Sequence, residues 1–171
     1  MALLLGFLTA IAFLVFLAGL WSRFRRYEGS GGMMAGLFAI VGTAFAATIL
    51  VSEGIYLALV QAAVTDDRSV LPALSALDNW VGIGTIAAAV AMLIGATGAI
   101  LSTHACPAWL GYLSGLSGVL FVLSLGAVYS TDNQSLLAGL GWFGGFLLFL
   151  VWALAASVLL LRPAHRTRAA A

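Results

Sequence analysis

Residues 33–64 read MMAGLFAIVGTAFAATILVSEGIYLALVQAAV, a run of 32 residues in which Glu53 is the only charged side chain. The hydrocarbon core of a bilayer is about 30 Å thick, and an α-helix crosses it with about 20 apolar residues. As a helix this run would be about 48 Å long. It therefore predicts a transmembrane helix that must tilt or project from the membrane.

Four further apolar runs lie outside this stretch, at residues 2–21, 80–101, 109–129 and 136–161. Each is long enough to cross a bilayer once. The chain as a whole is 63% hydrophobic and 8% charged, whereas soluble domains are roughly 45 to 50% apolar. We therefore predict an all-α fold in which residues 1–171 form a single integral membrane bundle of five transmembrane helices.

The arginines predict the orientation of this bundle. Six of the seven follow the first helix or the fifth: Arg23, Arg25, Arg26, Arg162, Arg166 and Arg168. Five crossings place both groups on one side, and short cytoplasmic loops carry an excess of positive charge. We expect a multi-pass protein of the cytoplasmic membrane with its N-terminus outside and its C-terminus in the cytoplasm. The first arginine cluster either fixes this topology or also binds anionic lipid head groups.

Composition and motifs argue against several classes of function. A net charge of +1 disfavours nucleic acid binding. The sequence contains no nucleophile motif, phosphate-binding loop or dinucleotide fingerprint. His104 and Cys106 are only two possible ligands in one short loop, which cannot complete a tetrahedral metal shell. We predict no catalytic residue, no metal site and no cofactor.

Glu53 is the most suggestive single residue, because an acidic group inside a membrane span is costly and often functional. It lies about 30 Å along its helix from Met33, which places it near the outer interface, where a carboxylate is hydrated. One interpretation is therefore a hydrated carboxylate without a special role. The other is a small polar site for a substrate or ion.

Asp78 and Asn79 are expected at the same outer level as Glu53, and they either join that polar site or cap the helix that begins at Trp80. We expect Glu53 to face Arg68, Asn79 or water. Residues 52–54 should mark the exit from the hydrocarbon, and residues 55–64 should project or fold over the bundle.

Small residues spaced by four predict close helix packing. Gly111 and Gly115 in the fourth helix are expected to bring another helix backbone unusually close. Gly141 with Gly145, and Gly95 with its alanine neighbours, suggest similar contacts. Packing inside one bundle explains these spacings, and contact in a homo-oligomer is the alternative.

The chain resembles a group of uncharacterised multi-pass membrane proteins of high-GC actinobacteria. The matching pieces are RFRRYEG at 23–29, ALDN at 76–79, PAWLGY at 107–112 and a closing apolar helix that ends at Arg162. The resemblance implies an actinobacterial cytoplasmic membrane and, in longer relatives, one more helix upstream. It implies no function.

Two functions remain to be distinguished. The leading one is a non-enzymatic accessory or structural membrane subunit in contact with the lipid bilayer, either alone or within a homo-oligomer or a larger membrane complex. The other is a small transporter or lipid-binding membrane protein with a polar site near Glu53. A solid bundle would favour the first function, and a cavity that reaches Glu53 would favour the second.

Overall fold

The computed structural model describes residues 2–29, 32–65, 69–128 and 136–161. They form five α-helices, which are α1 (Ala2–Glu28), α2 (Met33–Val64), α3 (Leu71–Thr103), α4 (Ala108–Val128) and α5 (Leu136–Leu161). No strand occurs in these ranges. All five helices contain a segment long and apolar enough to cross a membrane. The prediction of an all-α membrane bundle with five spanning helices is confirmed.

The predicted bounds of α2 and α5 agree with the structure, whereas the predicted end of α1 at Trp21 is wrong. This helix continues through the arginines to Glu28. Arginine, tyrosine and glutamate are all compatible with a helix interior. Termination comes only at Gly29, whose φ of 72° is the left-handed conformation that commonly ends helices.

The predicted start of α3 at Trp80 is also wrong, since the helix begins at Leu71 with a proline in its first turn. Pro72 costs little there, because the first backbone N–H groups of a helix have no partner within it. Asp78 and Asn79 consequently lie inside α3, and the prediction that they cap it fails. The Asp78 carboxylate instead accepts a 2.9 Å hydrogen bond from the Ser52 hydroxyl of α2.

Helices that follow one another in the chain pack as antiparallel neighbours, and α5 returns to lie beside α1. The Phe16 and Trp152 rings lie 5.8 Å apart, and the Phe13 and Phe149 rings lie 6.2 Å apart. Because the numbering rises along both helices in these contacts, α1 and α5 are parallel. The two helices therefore begin and end at the same two faces of the bundle.

Arg23 joins three elements at one end of the bundle, which we call the arginine end. Its Nε donates to the Ala105 carbonyl oxygen at 2.9 Å, and its Nη1 donates to the Leu159 carbonyl oxygen at 3.0 Å. The end of α1, the loop between α3 and α4, and the end of α5 therefore lie together. The arginines that follow α5 in the sequence lie outside the described residues.

At the opposite end, α2 and α3 extend as a helical hairpin. The predicted continuation of α2 past Glu53 is present, and the helix runs to Val64 without a break. Ile55 and Ala62 are buried in this extension. It packs against the first turns of α3 instead of folding over the bundle, because α3 starts early enough to cover it.

The core nearer the arginine end is aromatic. Trp152 is fully buried and contacts the rings of Phe16, Phe38 and Phe149 at 5.8 to 6.5 Å between centroids. The contacts with Phe16 and Phe38 are edge to face and the contact with Phe149 is stacked, and both geometries add to the stabilisation from buried area. These rings join α1, α2 and α5 over the half of the bundle that carries Arg23.

The predicted contact of Gly111 with another helix is present, but the prediction that a helix backbone comes unusually close at Gly111 and Gly115 is wrong. A Cβ on Gly111 would meet the Leu101 side chain at 2.9 Å, and one on Gly115 would meet Thr97 side-chain atoms at 3.6 Å. Backbone contact occurs at Gly95, where a Cβ would lie 2.8 Å from the Phe38 nitrogen, and at Gly141. The reason is that α3 and α4 are held apart by the larger side chains between them.

Candidate ligand site

A cavity of about 340 Å³ lies between α2, α3, α4 and α5. It is lined by Phe45, Ile49, Glu53, Thr85, Ile86, Ala89, Phe121, Trp142, Phe146 and Phe149. Glu53 is the only ionisable residue among them. The cavity is therefore an apolar, aromatic space with one carboxylate on its wall.

Side chains of α2 and α5 meet at the end of the cavity that lies toward the arginine end. There the rings of Phe45 and Phe149 meet edge to face at 5.8 Å and close one end of the space. Farther along α5, Trp142 and Phe146 are each 45% exposed, and Glu53 is exposed as well. The cavity thus has a closed apolar end and an open end that carries the carboxylate.

Glu53 points toward α1, where a glycine leaves room for its carboxylate. A Cβ placed on Gly6 would lie 3.4 Å from the Glu53 carboxyl carbon. The expected neighbour Arg68 lies outside the described residues, and no hydrogen bond joins Glu53 to Asn79. Within the described ranges no basic side chain pairs with Glu53.

The other polar groups of the wall are already bonded or lie at its edge. The Thr85 hydroxyl donates to the Val81 carbonyl oxygen of its own helix at 2.8 Å. The Trp142 ring packs edge to face on Phe121 at 6.3 Å. A ligand would therefore find one strong polar contact, at Glu53, and otherwise apolar and aromatic surface.

The structure does not bring together Glu53, Asp78 and Asn79, the three residues of the predicted polar site. Asp78 is half-buried between α2 and α3 on Ser52, while Glu53 lies on the cavity wall and Asn79 is exposed on α3. Ser52 and Glu53 are adjacent in one helix and so face different neighbours. Only Glu53 lines the cavity.

The arginine cluster divides into one structural residue and two exposed ones. Arg23 binds two main-chain carbonyls, as described above. The Arg25 guanidinium lies 5.3 Å from the Trp21 ring centroid, a cation–π distance, and Arg26 is exposed. Binding of lipid head groups by this cluster stays a prediction.

Two further features of the arginine end bear on the metal prediction. His104 ends α3 in the left-handed conformation, with φ 55°, and its side chain is exposed. Cys106 is buried, which raises the pKa of its thiol, while the nearby Arg23 charge acts in the opposite direction. No cluster of three or more possible metal ligands occurs in the part of the chain that the structure describes.

A second apolar space of about 460 Å³ lies between α3 and α4 near Gly115 and Gly118. Its hydroxyl groups are satisfied, because Thr97 and Ser114 hydrogen-bond to each other at 2.8 Å. None of its lining residues is ionisable. This space therefore contains no group that would select one ligand over another.

Of the residues that line the cavity, the sequence had singled out only Glu53 as a candidate site residue. Trp142 gave a second signal, because it lies too deep in its predicted span for the interfacial aromatic belt. Comparison with known protein families, curated proteins and solved structures finds no match.

Proposed function

We propose that this integral membrane protein binds an amphipathic small molecule in the cavity beside Glu53, as a lipid-binding protein or small transporter. The observation that carries the proposal is an apolar cavity whose wall holds a single carboxylate. Ligand pockets are commonly about 300 to 1,000 Å³ and combine apolar lining with a few placed polar groups. At about 340 Å³, this cavity falls in that range.

The position of the cavity also supports an amphipathic ligand. Glu53 lies about 30 Å along α2 from Met33, so a bundle with its arginine end at one interface has Glu53 near the other. The closed aromatic end then lies deeper in the hydrocarbon. A molecule held there has its polar part near water and its apolar part in the membrane interior.

The topology belongs to the same proposal. The structure groups the ends of α1 and α5 with Arg23, which supports a common side for the arginines around them. We take this side as cytoplasmic, because positive charge is enriched there. The open end of the cavity would then face the outer leaflet of the cytoplasmic membrane.

The accessory-subunit function stays a prediction beside this proposal, as do the absence of enzymatic activity and the association with itself or with other proteins. The cavity favours ligand binding over the accessory-subunit function. It reaches Glu53 between four helices, where a solid bundle would have packed side chains.

The test is cavity filling, measured with a neutral single-chain alcohol that carries bromine on its tail. Bromine quenches indole fluorescence at contact. The fluorescence of Trp142 is obtained by subtracting the emission of Trp142→Phe from that of the wild type, both in lipid nanodiscs. We expect saturable quenching of the Trp142 fluorescence in the wild type. Thr85→Phe should abolish it by occupying the cavity.

Thr43→Phe is the matched control. Thr43 is exposed, and its hydroxyl donates to the Ala39 carbonyl oxygen in the same i to i−4 pattern as Thr85. The control should keep the saturable quenching. If the Thr85 variant binds the probe as the wild type does, or if the wild type shows no saturable component, the proposal is wrong.

A further inference from the structure

We infer that the ligand of this cavity is a small lipophilic cation, an amine or quaternary ammonium on a single apolar chain or ring. The inference deepens the proposed function and depends on it. The positive head would pair with the Glu53 carboxylate at the open end, and the apolar part would lie between the Phe45 and Phe149 rings and the rest of the wall.

The sign of the charge follows from the wall of the cavity. Among the described residues that line the cavity, Glu53 is the only ionisable one, and within the same ranges no cation pairs with it. An ionised carboxylate beside hydrocarbon is costly unless a partner or water compensates it. A cationic ligand supplies that partner, whereas an anionic ligand would meet repulsion in a space of low dielectric constant.

The aromatic residues near Glu53 select the same sign. Trp142 and Phe146 line the open end and keep part of their surface accessible. The face of an aromatic ring attracts a cation within about 6 Å, and indole does so best. A quaternary ammonium, which cannot donate a hydrogen bond, would still gain from both the carboxylate and the indole.

The volume limits the size of the ligand. At about 340 Å³, the cavity lies near the lower end of the roughly 300 to 1,000 Å³ range of ligand pockets. The cavity therefore accommodates a head group with one short chain or one small ring system, and a two-chain phospholipid would leave most of its atoms outside.

Displacement of the brominated alcohol tests the charge. Octyltrimethylammonium, octanol and octyl sulfate are compared as competitors in nanodiscs of zwitterionic lipid, with wild type and Glu53→Gln. Each competitor partitions into the bilayer equally with both proteins, so partitioning cancels in the ratio of the half-displacing concentrations of Glu53→Gln and wild type. We expect Glu53→Gln to raise the half-displacing concentration of the cation by about tenfold or more, which corresponds to about 1.4 kcal/mol, and to leave that of octanol unchanged.

Asp78→Asn is the matched control. It removes one negative charge from the same end of the molecule, away from the cavity, and keeps an oxygen that can accept from Ser52. This variant should behave as the wild type. An equal loss in both variants would mean a general surface-charge effect and would overturn the inference.

The remaining outcomes separate this inference from the proposed function. If the cation displaces the probe equally from wild type and Glu53→Gln while Thr85→Phe still blocks the probe, the site binds amphiphiles but does not select cations. Stronger displacement by octyl sulfate than by the cation would also overturn the inference. Absence of saturable probe binding would instead overturn the proposed function.

Discussion

Glu28 shows how one side chain can serve two helices. It is the last residue of α1, and its carboxylate accepts hydrogen bonds from the backbone N–H groups of Met34 and Ala35 at 2.9 and 2.8 Å. These donors open α2, where Gly32 offers no side-chain cap. Negative charge at a helix N-terminus is favourable because it offsets the unpaired N–H groups and the helix dipole.

We expect Glu28→Gln to destabilise the bundle by about 1 kcal/mol, since the amide loses the charge and replaces one accepting oxygen with a donor. Thermal unfolding in detergent measures the change. Glu53→Gln is the same chemical change at a residue whose side chain makes no hydrogen bond within the described part of the chain, and it should leave the unfolding temperature unaltered. Equal unfolding temperatures for the wild type and both variants would show that the two hydrogen bonds of the Glu28 cap do not stabilise the bundle.

The pairing of α2 with α3 is the most extensive between elements, and at Gly95 the backbone of α3 lies directly against that of α2 at Phe38. Without a hydrophobic driving force between helices in lipid, such close packing and hydrogen bonds between helices supply the association energy. One such bond joins Ser117 of α4 to the Gly145 carbonyl oxygen of α5 at 2.8 Å. The small residues thus act at particular crossings, not along whole helices.

Gly95→Ala should therefore destabilise the bundle by about 1 to 3 kcal/mol, because the added methyl forces backbone atoms apart at Phe38. Gly84→Ala in the same helix is the control, since a Cβ there has no atom within 4 Å. Its expected effect is neutral or slightly stabilising. Chemical unfolding in mixed micelles compares the two, and similar losses would contradict the backbone contact.

At the scale of the whole molecule, the parallel arrangement of α1 and α5 produces both the joined arginine end and the cavity. Trp152 locks α5 onto α1 and α2 toward the arginine end. Toward the other end, the cavity separates α5 from α2, and Trp142 is partly exposed. The closed end and the open end therefore differ in how α5 meets α1 and α2, while α5 also packs closely on α4 at Gly141, toward the open end.

The proposed topology predicts opposite accessibility at two exposed positions, Tyr27 near the arginine end and Val64 at the tip of α2. In a Cys106→Ser background, cysteine at position 64 should react with an impermeant thiol reagent on intact cells. Cysteine at position 27 should react only after permeabilisation. If both positions were labelled from one side, α2 would not cross the membrane and the topology with five crossings would be wrong. The reverse pattern of labelling would mean the opposite orientation.

The sequence by itself determined the class of fold, the number of helices and the bounds of α2 and α5. The physical reason is that a bilayer imposes a minimum apolar length, which an uninterrupted run displays directly. It also singled out Glu53, because a charge inside such a run is conspicuous. It failed at the ends of α1 and α3, where polar residues suggested loops.

Only the tertiary structure decided what those polar residues do. Arg23 fits within α1 because carbonyl groups of the α3–α4 loop and of α5 accept its hydrogen bonds, and Asp78 fits within α3 because a hydroxyl of α2 donates to it. The cavity was equally hidden, since helices that are apolar on every side carry no pattern that says which faces meet. That Glu53 shares a space with Trp142 and Phe121 follows from packing between helices far apart in the chain, which no local sequence signal encodes.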